Sequence, residues 1–560
     1  MAVAPPAQTG SPGPDLPVFY YLQNFLSLIN SVHGLYDDLM NTAELHFHHQ
    51  VIHLPQPAQA LLVRLLMRRG EWFRSGRLHY REIVDTDSAL DVLVSAGLIS
   101  RPVQCLPEES FGLLTKAEWL GILNRSELKS LPKQELMPAV QVFVSAGNPV
   151  TALREYLGEE IIQLNCRETF EAYRLLYFGN GRQDLTDFIL RDLGIFRFEA
   201  YPLHRETRLF ENREQLDRLL HYYQLRDSLD DLSELTVEQL CAVTLNLPNA
   251  TLPTSSQADK ALDRRHQRLR LRIARQLERL DALPEALAIY RLCGEPPSRE
   301  RQARILKKIQ QPGEALALCQ QMLVDGSDAE QVFAAQFSGP LYRVTGVTPP
   351  PQPLFKPDAD TLVLAQQPGM SVEQSVAEYL SQSGQCFFLE NHLPLGLFGM
   401  VFWQVIFADV RGAFSHRFQQ GPHDLYESDF LTSRGDALAA GWQRLDAWLH
   451  NPEALLSWMA TRQGIANPFV HWGVLSETVI RLALSRIPAA HWQCLFERLW
   501  RDLRENRNGF PDLVYFPASG GYELVEVKGP GDRLQKNQLR WLEVFQRGGI
   551  PFRVMHVQWR

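Results

Sequence analysis

Pro511-Asp512-Leu513-Val514-Tyr515-Phe516, then Pro517-Ala518-Ser519-Gly520-Gly521, then Tyr522-Glu523-Leu524-Val525-Glu526-Val527-Lys528 is the stretch on which the reading of this chain turns. Its outer pieces alternate and are rich in β-branched and aromatic residues, and its middle has the composition of a turn. Folding the hairpin about Ser519 sets Phe516 opposite Tyr522, Val514 opposite Leu524 and Asp512 opposite Glu526. Strand side chains repeat every two residues, so Glu526 and Lys528 share a face, and directly opposed residues sit roughly 4.5–5.5 Å apart. Two carboxylates and one ammonium are thereby expected at one end of a hairpin, an Asp…Glu-x-Lys arrangement.

Two converging carboxylates repel unless a cation lies between them. An oxygen-rich site with few protein ligands suits Mg²⁺ or Mn²⁺, which would polarise a phosphoryl group and lower the pKa of a bound water. Lys528 could orient or deprotonate the attacking water and offset charge on phosphorus. The competing reading is a surface hairpin with a cross-strand ion pair. It leaves unexplained why Asp512 and Glu526 fall on the face of Val514 and Leu524, which should point inward, where an acid pair needs a reason.

After Gly529-Pro530-Gly531-Asp532 a helix is predicted, with Leu534, Gln538, Trp541, Leu542 and Phe545 at helical spacing. Gln538 then lies on the packed face, directed at the strands. There its amide could hold a water or a phosphate, or be a satisfied core amide. Lys536 falls off that stripe, as a phosphate contact or a solvated lysine.

Asn508-Gly509-Phe510-Pro511-Asp512-Leu513-Val514, then Leu524-Val525-Glu526-Val527-Lys528-Gly529-Pro530-Gly531-Asp532-Arg533-Leu534, then Gln538-Leu539-Arg540-Trp541-Leu542 resembles the VRR-nuclease domain, and more closely the Fanconi-associated nuclease family. Blocks in the family's order extend the resemblance over nearly the whole chain: Tyr20–Phe25, Leu62–Trp72, Leu397–Trp403 and Phe430–Arg434. The resemblance implies a structure-selective 5′-flap endonuclease with 5′-to-3′ exonuclease action on branched or 5′-flap DNA, dependent on Mg²⁺ or Mn²⁺ and acting in interstrand cross-link repair. Carried across residue by residue, it makes Asp512 and Glu526 metal ligands, with the main-chain carbonyl of Val527 as another, and Lys528 the catalytic lysine. A further family glutamate precedes the apolar helix, and Glu390 holds that place ahead of Leu397–Trp403. Family members often follow it with glycine, where this chain has Asn391. Glu477, on the helix after Trp472-Gly473, is the competing candidate, and an acid near a helix N-terminus is also favoured by the dipole alone. Eukaryotic members carry an N-terminal ubiquitin-binding zinc finger. None is expected here, because the seven cysteines are scattered without a Cys-x-x-Cys.

At 560 residues the chain should hold several domains. Its odd, scattered cysteines point to reduced thiols in a cytoplasmic compartment. No signal peptide or membrane span is legible. The expected location is therefore cytoplasmic or nucleoid-associated in a bacterium, nuclear in a eukaryote, and not secreted. A net charge of −8 argues against nucleic acid only if the basic residues are spread evenly. They cluster. Arg64, Arg68, Arg69, Arg74, Arg77 and Arg81 are opposed within their span only by Glu71, on a pattern that suits a winged-helix-like module. Next, two short helices around Lys116 and Leu131-Pro132-Lys133 resemble a SAP-type DNA-binding hairpin.

A second basic stripe follows from geometry. On a helix over 259–280, at roughly 100° per residue, Arg264, Arg268, Arg272, Arg275 and Arg279 fall within an arc of about 80°. Leu262, Leu269, Ile273, Leu277 and Leu280 fall opposite. A solvent face so dominated by arginine reads as a contact to a DNA backbone, unless acids from neighbouring helices answer it. Glu285-Ala286-Leu287-Ala288-Ile289-Tyr290 recurs as Glu314-Ala315-Leu316-Ala317-Leu318-Cys319, an offset of 29, shorter than the ~34 of tetratricopeptide repeats.

The expected organisation is a disordered tail (1–16), a helical and winged-helix-like DNA-binding region (17–100) and a SAP-like region (101–150). A tetratricopeptide-like region (151–344), a proline-rich linker (345–370) and an α/β VRR-nuclease domain (371–560) follow. The chain thus reads as multidomain, mostly α-helical in its N-terminal half with an α/β Asp…Glu-x-Lys nuclease at its C-terminus. Two rivals stand beside a flap nuclease. One is a Holliday-junction resolvase on the same core, which would need a dimer. The other is a non-catalytic scaffold for branched DNA, which would have no need of Asp512, Glu526 and Lys528.

Overall fold

The chain falls into two units, Met1–Ile195 with Phe210–Leu220, and Phe196–Leu209 with His221–Arg560. The computed structural model describes residues 17–102, 104–145, 149–185, 197–229, 231–247, 256–350 and 355–560. The expected tail (1–16) lies outside them.

The first unit has helices Tyr20–Tyr36, Thr42–His53, Gln56–Leu66 and Thr86–Ser95, and the last three begin at identifiable signals. Asn41 and Glu44 form a capping box, Gln56–Leu66 has proline in its first turn, and Asp85 accepts the Ser88 N–H. Leu61, Leu62 and Leu65 of the third helix are fully buried. A small antiparallel sheet runs in the order β1 (Trp72–Arg74), β3 (Ile161–Leu164), β2 (Ile99–Ser100). β3 corrects the boundary expected at residue 150. It pairs Gln163 with both Trp72 and Ser100, so its segment belongs to the N-terminal unit rather than to a helical region over 151–344. A four-residue strand whose partners lie some sixty to ninety residues away leaves no local signature.

In the second unit helix Val237–Asn246 precedes the long helix Gln257–Arg279, capped by Ser256. Helices Leu283–Arg291 and Ser298–Lys308, then Pro312–Asp325 and Asp328–Thr345, stack as the two copies of the repeat. Both copies are entered through a left-handed residue, Asp281 (φ 60°) and Gln310 (φ 62°), at the same offset of 29. Ala286 and Ala315 are fully buried at corresponding positions.

A five-stranded sheet carries the C-terminal region, in the order β4 (Ala359–Leu364), β8 (Phe552–Trp559), β7 (Glu523–Lys528), β6 (Leu513–Pro517), β5 (Gly384–Phe388). β4 lies inside the segment expected to be a linker (345–370), and this is a correction. Prolines upstream mask a strand whose Leu362 and Leu364 pack on the sheet's core while it pairs in parallel with β8. β6 and β7 form the predicted hairpin in the predicted register, Val514 opposite Leu524. The turn needs its glycines, Gly520 at φ 109° and Gly521 at φ 72°. β7 and β8 are parallel, which requires a crossover, and helix Lys536–Gly548 supplies it.

Each face of the sheet has its own core. Val514, Phe516, Leu524 and Val554 pack with Trp541, Leu542, Phe545 and the His392–Val401 helix. Leu513, Tyr515, Val525 and Val527 pack with Val376 and Leu380 of helix Val372–Ser381. Among the described residues no single helix is long and apolar enough to cross a membrane.

Candidate active site

β6 and β7 are interior strands, so the residues at their shared end are held from both sides. Asp512 precedes β6 by one residue, and its Oδ2 accepts the Val527 N–H at 2.9 Å. Glu526 is 1% exposed. Its Oε1 accepts from Lys528 Nζ at 2.5 Å and from Gln538 Nε2 at 2.6 Å. Lys528 is also buried. Asp512, Glu526, Val527, Lys528 and Gln538 therefore come together, as the alternation implied.

Gln538 makes two bonds at the site. Its Oε1 accepts the Gln535 N–H at 2.8 Å, capping helix Lys536–Gly548, while its amide nitrogen donates one hydrogen to Glu526. It orients a carboxylate and keeps a second amide N–H. Lys536 is exposed beside it and lines a cavity of about 500 Å³ with Arg504, Asn508 and Arg540. Gly509 (φ 92°) lies so close to this helix that a Cβ there would sit 2.8 Å from the Asn537 side chain.

Glu390 follows β5 in the left-handed region, φ 44°, a sparsely populated conformation for a side-chain-bearing residue. Its N–H and that of Leu389 both donate to the Asp512 carbonyl, at 2.9 and 3.0 Å. Asn391 accepts the Phe510 N–H at 3.0 Å and so clamps the loop that leads into Asp512. Glu477 has a charged partner of its own. It is exposed at the start of helix Glu477–Arg486 and tied to Arg481 at 2.6 Å, which also pairs with Glu453.

Burial raises the Asp512 carboxyl to about 6. The Val527 N–H and Lys528 pull it down, and Glu373 and Glu390 push it up. Burial and then Asp512 raise Glu526 to about 7, against the pull of Lys528. Glu526 Oε2 is buried with no hydrogen-bond partner. An anionic oxygen so placed is costly unless a cation meets it. Among the described residues no three His, Cys, Asp or Glu side chains stand close enough to form a metal cluster by themselves. Like charges hold apart when nothing neutralises them. The donors nevertheless fit a hard divalent cation: carboxylate oxygens and a main-chain carbonyl. Glu373, which the sequence reading passed over, influences both acids from helix Val372–Ser381. Its one available signal was its place on the helical stripe of Val376 and Leu380.

The basic candidates divide. Arg64 pairs with Glu82 at 2.5 Å and stacks over Tyr21 at 4.0 Å, so its guanidinium is partly engaged. Glu82 lies just beyond the span whose charges were compared. Arg68 bonds the Arg77 carbonyl at 3.3 Å, and Arg69 is exposed. Lys116 donates to the Lys129 carbonyl at 2.7 Å, and Lys133 lies 4.7 Å over the Phe111 ring. Both ammonium groups are thus partly engaged.

On helix Gln257–Arg279 the positions exposed between 268 and 279 are Arg268, Arg272, Arg275 and Arg279. Arg264 leaves this face, a correction to the expected stripe. It is turned inward onto Glu427 at 2.7 Å, an acid far away in sequence. Arg275 shares Glu278 with Arg301. Leu262, Leu269, Ile273 and Leu277 are buried as expected, whereas Leu280 is 44% exposed at the helix end.

A mixed sheet with a buried acid pair and a lysine at one strand end, backed by a crossover helix, defines a metal-dependent nuclease of the Asp…Glu-x-Lys class. Comparison with known proteins specifies it further. The VRR-NUC domain profile matches residues 451–559 and the FAN1 HTH domain profile residues 19–100. A Pseudomonas aeruginosa protein, Fanconi-associated nuclease 1 homolog, is 35% identical over 99% of this chain and 98% of its own length. An Arabidopsis thaliana homolog is 25% identical over 96% of this chain and 67% of its own. The crystal structure of paFAN1 bound to 2-nt 5′-flap DNA with a gap superposes with a TM-score of 0.83 at 34% identity, covering 99% of this chain and 100% of that one. The chain belongs to the Fanconi-associated nuclease family and is a DNA nuclease of DNA repair, in a family that depends on metal.

Proposed function

We propose that this chain cuts branched DNA at 5′ flaps and degrades 5′ ends in the 5′-to-3′ direction, in the repair of interstrand cross-links, with Mg²⁺ or Mn²⁺ at Asp512, Glu526, the Val527 carbonyl and Glu390. The observation that carries the reading is Glu526: a buried carboxylate with one oxygen held by Lys528 and Gln538 and the other without a partner. The structures of paFAN1 with flap DNA supply the substrate class. A cation bound there polarises the scissile phosphoryl group and lowers the pKa of its water.

The chain's own residues do the rest. Val527 N–H fixes the Asp512 carboxylate, and Gln538 fixes that of Glu526. Lys528, held beside Glu526, presents its ammonium protons to charge building on the phosphoryl oxygens. Arg268, Arg272 and Arg275 track the duplex backbone, with Arg64, Arg68, Arg69, Lys116, Lys133 and Lys536 as further phosphate contacts. The N-terminal region over residues 17–150 is read as DNA-binding, and the repeat helices as its scaffold.

The test is cleavage of end-labelled 5′-flap, 3′-flap, four-way-junction and blunt duplexes in Mg²⁺ and in Mn²⁺, by wild type and Asp512→Asn. Metal-dependent cuts near 5′-flap junctions, lost in Asp512→Asn, are expected. Paired symmetric cuts in the four-way junction would establish a resolvase instead. Flap binding without any Asp512-dependent cleavage would establish a scaffold.

A further inference from the structure

Helix Val372–Ser381 begins at a Ser371–Gln374 capping box and packs on β5, β6 and β7. Val376 and Leu380 face the sheet, fully buried and 4% exposed. Glu373 lies three residues before Val376 and seven before Leu380, on the same stripe. The stripe's last position at the helix N-terminal end is thus an acid where the pattern calls for an apolar residue.

That end of the helix lies at the strand end that carries the site. A Cβ on Gly529 would sit 3.4 Å from the Val372 side chain, and Gly529 directly follows Lys528. Glu373 therefore comes from the face of Val525 and Val527, opposite the face of Gln538 and helix Lys536–Gly548. Its charge reaches both Asp512 and Glu526. It is half-buried and no helix-capping bond uses its carboxylate. The buried Glu526 Oε2, which has no hydrogen-bond partner, is an independent sign that this group of acids is built to meet a cation.

We propose that Glu373 is a further acid of the metal site, positioning the cation through its water shell from the helix face of the sheet. This rests on the metal-site reading above and adds a residue to it. Acids one shell out orient metal-bound water and raise affinity about 10–100-fold. They do not have to crowd into a preformed cluster, in keeping with the spacing of the acids. The competing account is a helix N-terminal acid favoured by the dipole, which requires no metal.

The experiment uses the full chain without DNA. Mn²⁺ binding to wild type, Glu373→Gln, Glu373→Asp and Asp512→Asn is measured by isothermal titration, and thermal unfolding is followed with and without Mn²⁺. Glu373→Gln should weaken Mn²⁺ about 10-fold or more. It should leave the metal-free Tm unchanged or higher, because a like charge has left, and shrink the Mn²⁺-induced rise in Tm. Glu373→Asp, which keeps the charge, should recover part of the affinity. Unchanged Mn²⁺ affinity in Glu373→Gln while Asp512→Asn loses it would overturn the role of Glu373 alone. A lowered metal-free Tm with an undiminished Mn²⁺ response would assign Glu373 to helix stability. Wild-type affinity in Asp512→Asn would overturn the metal site itself.

Discussion

The main-chain N–H of Glu390 donates to the carbonyl of Asp512 at 2.9 Å. A residue before β6 and a residue after β5 are thereby locked at the same strand end, and Glu390 takes a left-handed backbone (φ 44°) to reach that position. Strain of this sort, on the order of 1–3 kcal/mol, persists where the surroundings over-determine it. Glu390→Gln should weaken Mn²⁺ binding about 10-fold or more with little change in fold, whereas Glu477→Gln should leave it unaltered, because Glu477 is engaged with Arg481. Unaltered Mn²⁺ affinity in Glu390→Gln by calorimetric titration, with a loss in Glu477→Gln, would remove Glu390 from the site.

Lys528 sits 2.5 Å from Glu526 Oε1 in a buried setting. Lys528→Ala should lower kcat by roughly 10²–10⁴-fold while flap affinity, measured in Ca²⁺ by anisotropy, stays within a factor of about three. Retained turnover would remove Lys528 from the chemistry.

Gln538 serves two masters, the Glu526 carboxylate and the Gln535 N–H. Gln538→Ala should therefore lower both metal affinity, by roughly 10-fold, and stability, by about 1 kcal/mol for the lost cap. Metal titration and denaturant unfolding read the two separately. A change in stability alone would make Gln538 a capping residue only.

The acid pair also predicts a pH dependence. In the metal-free chain Asp512 is raised to about 6 and Glu526 to about 7, chiefly by burial. Between the ordinary carboxylate range and these values the unfolded chain has lost protons that the folded chain keeps. Stability from these groups is thus full below about pH 4 and declines as pH rises towards 7. Relative to an Asp512→Asn/Glu526→Gln double variant, metal-free wild type should lose Tm between pH 5 and pH 8. The Mn²⁺-induced rise in Tm should be larger at pH 8. A Mn²⁺ response that is greatest at pH 5 would contradict this assignment of charge.

Replacing Arg268, Arg272 and Arg275 together with alanine should weaken duplex binding irrespective of sequence. It should also flatten the dependence of log Kd on log salt by roughly 2, since Arg275 is partly spent on Glu278. Arg264→Ala should behave differently. Its partner Glu427 is about as buried as it is, so the cost should fall on stability, roughly 3 kcal/mol, and not on the salt slope. An unchanged salt slope in the triple variant would reduce the arginine face to scaffold.

The hairpin was legible because all its determinants are local. Alternation, a Gly-Gly turn and thirteen intervening residues suffice to oppose Asp512 and Glu526, and the observed Val514–Leu524 pairing has that register. The repeat was legible for a similar reason, since the same helix entry recurs with the same left-handed residue. Partners were missed where they are remote in sequence. The acid that meets Arg64 was missed because Glu82 stands just outside the interval compared, and the acid that meets Arg264 because Glu427 stands far beyond it. β3 and β4 were missed because a short strand is defined by the strands it pairs with.

By itself, then, the sequence determined the chemistry available at one strand end, because two carboxylates and a lysine at period-two spacing must share a face. Only the tertiary structure decided how that chemistry is held. Gln538 turned out to orient Glu526, the Asp512 carbonyl to anchor Glu390, and a helix from the opposite face to bring Glu373 within electrostatic reach. Helical spacing had already turned Gln538 towards the strands, but nothing in the local pattern joins Glu390 to Asp512 or Glu373 to the acid pair. These relations exist because a close-packed sheet with a helix on either face leaves few places for its polar groups to go.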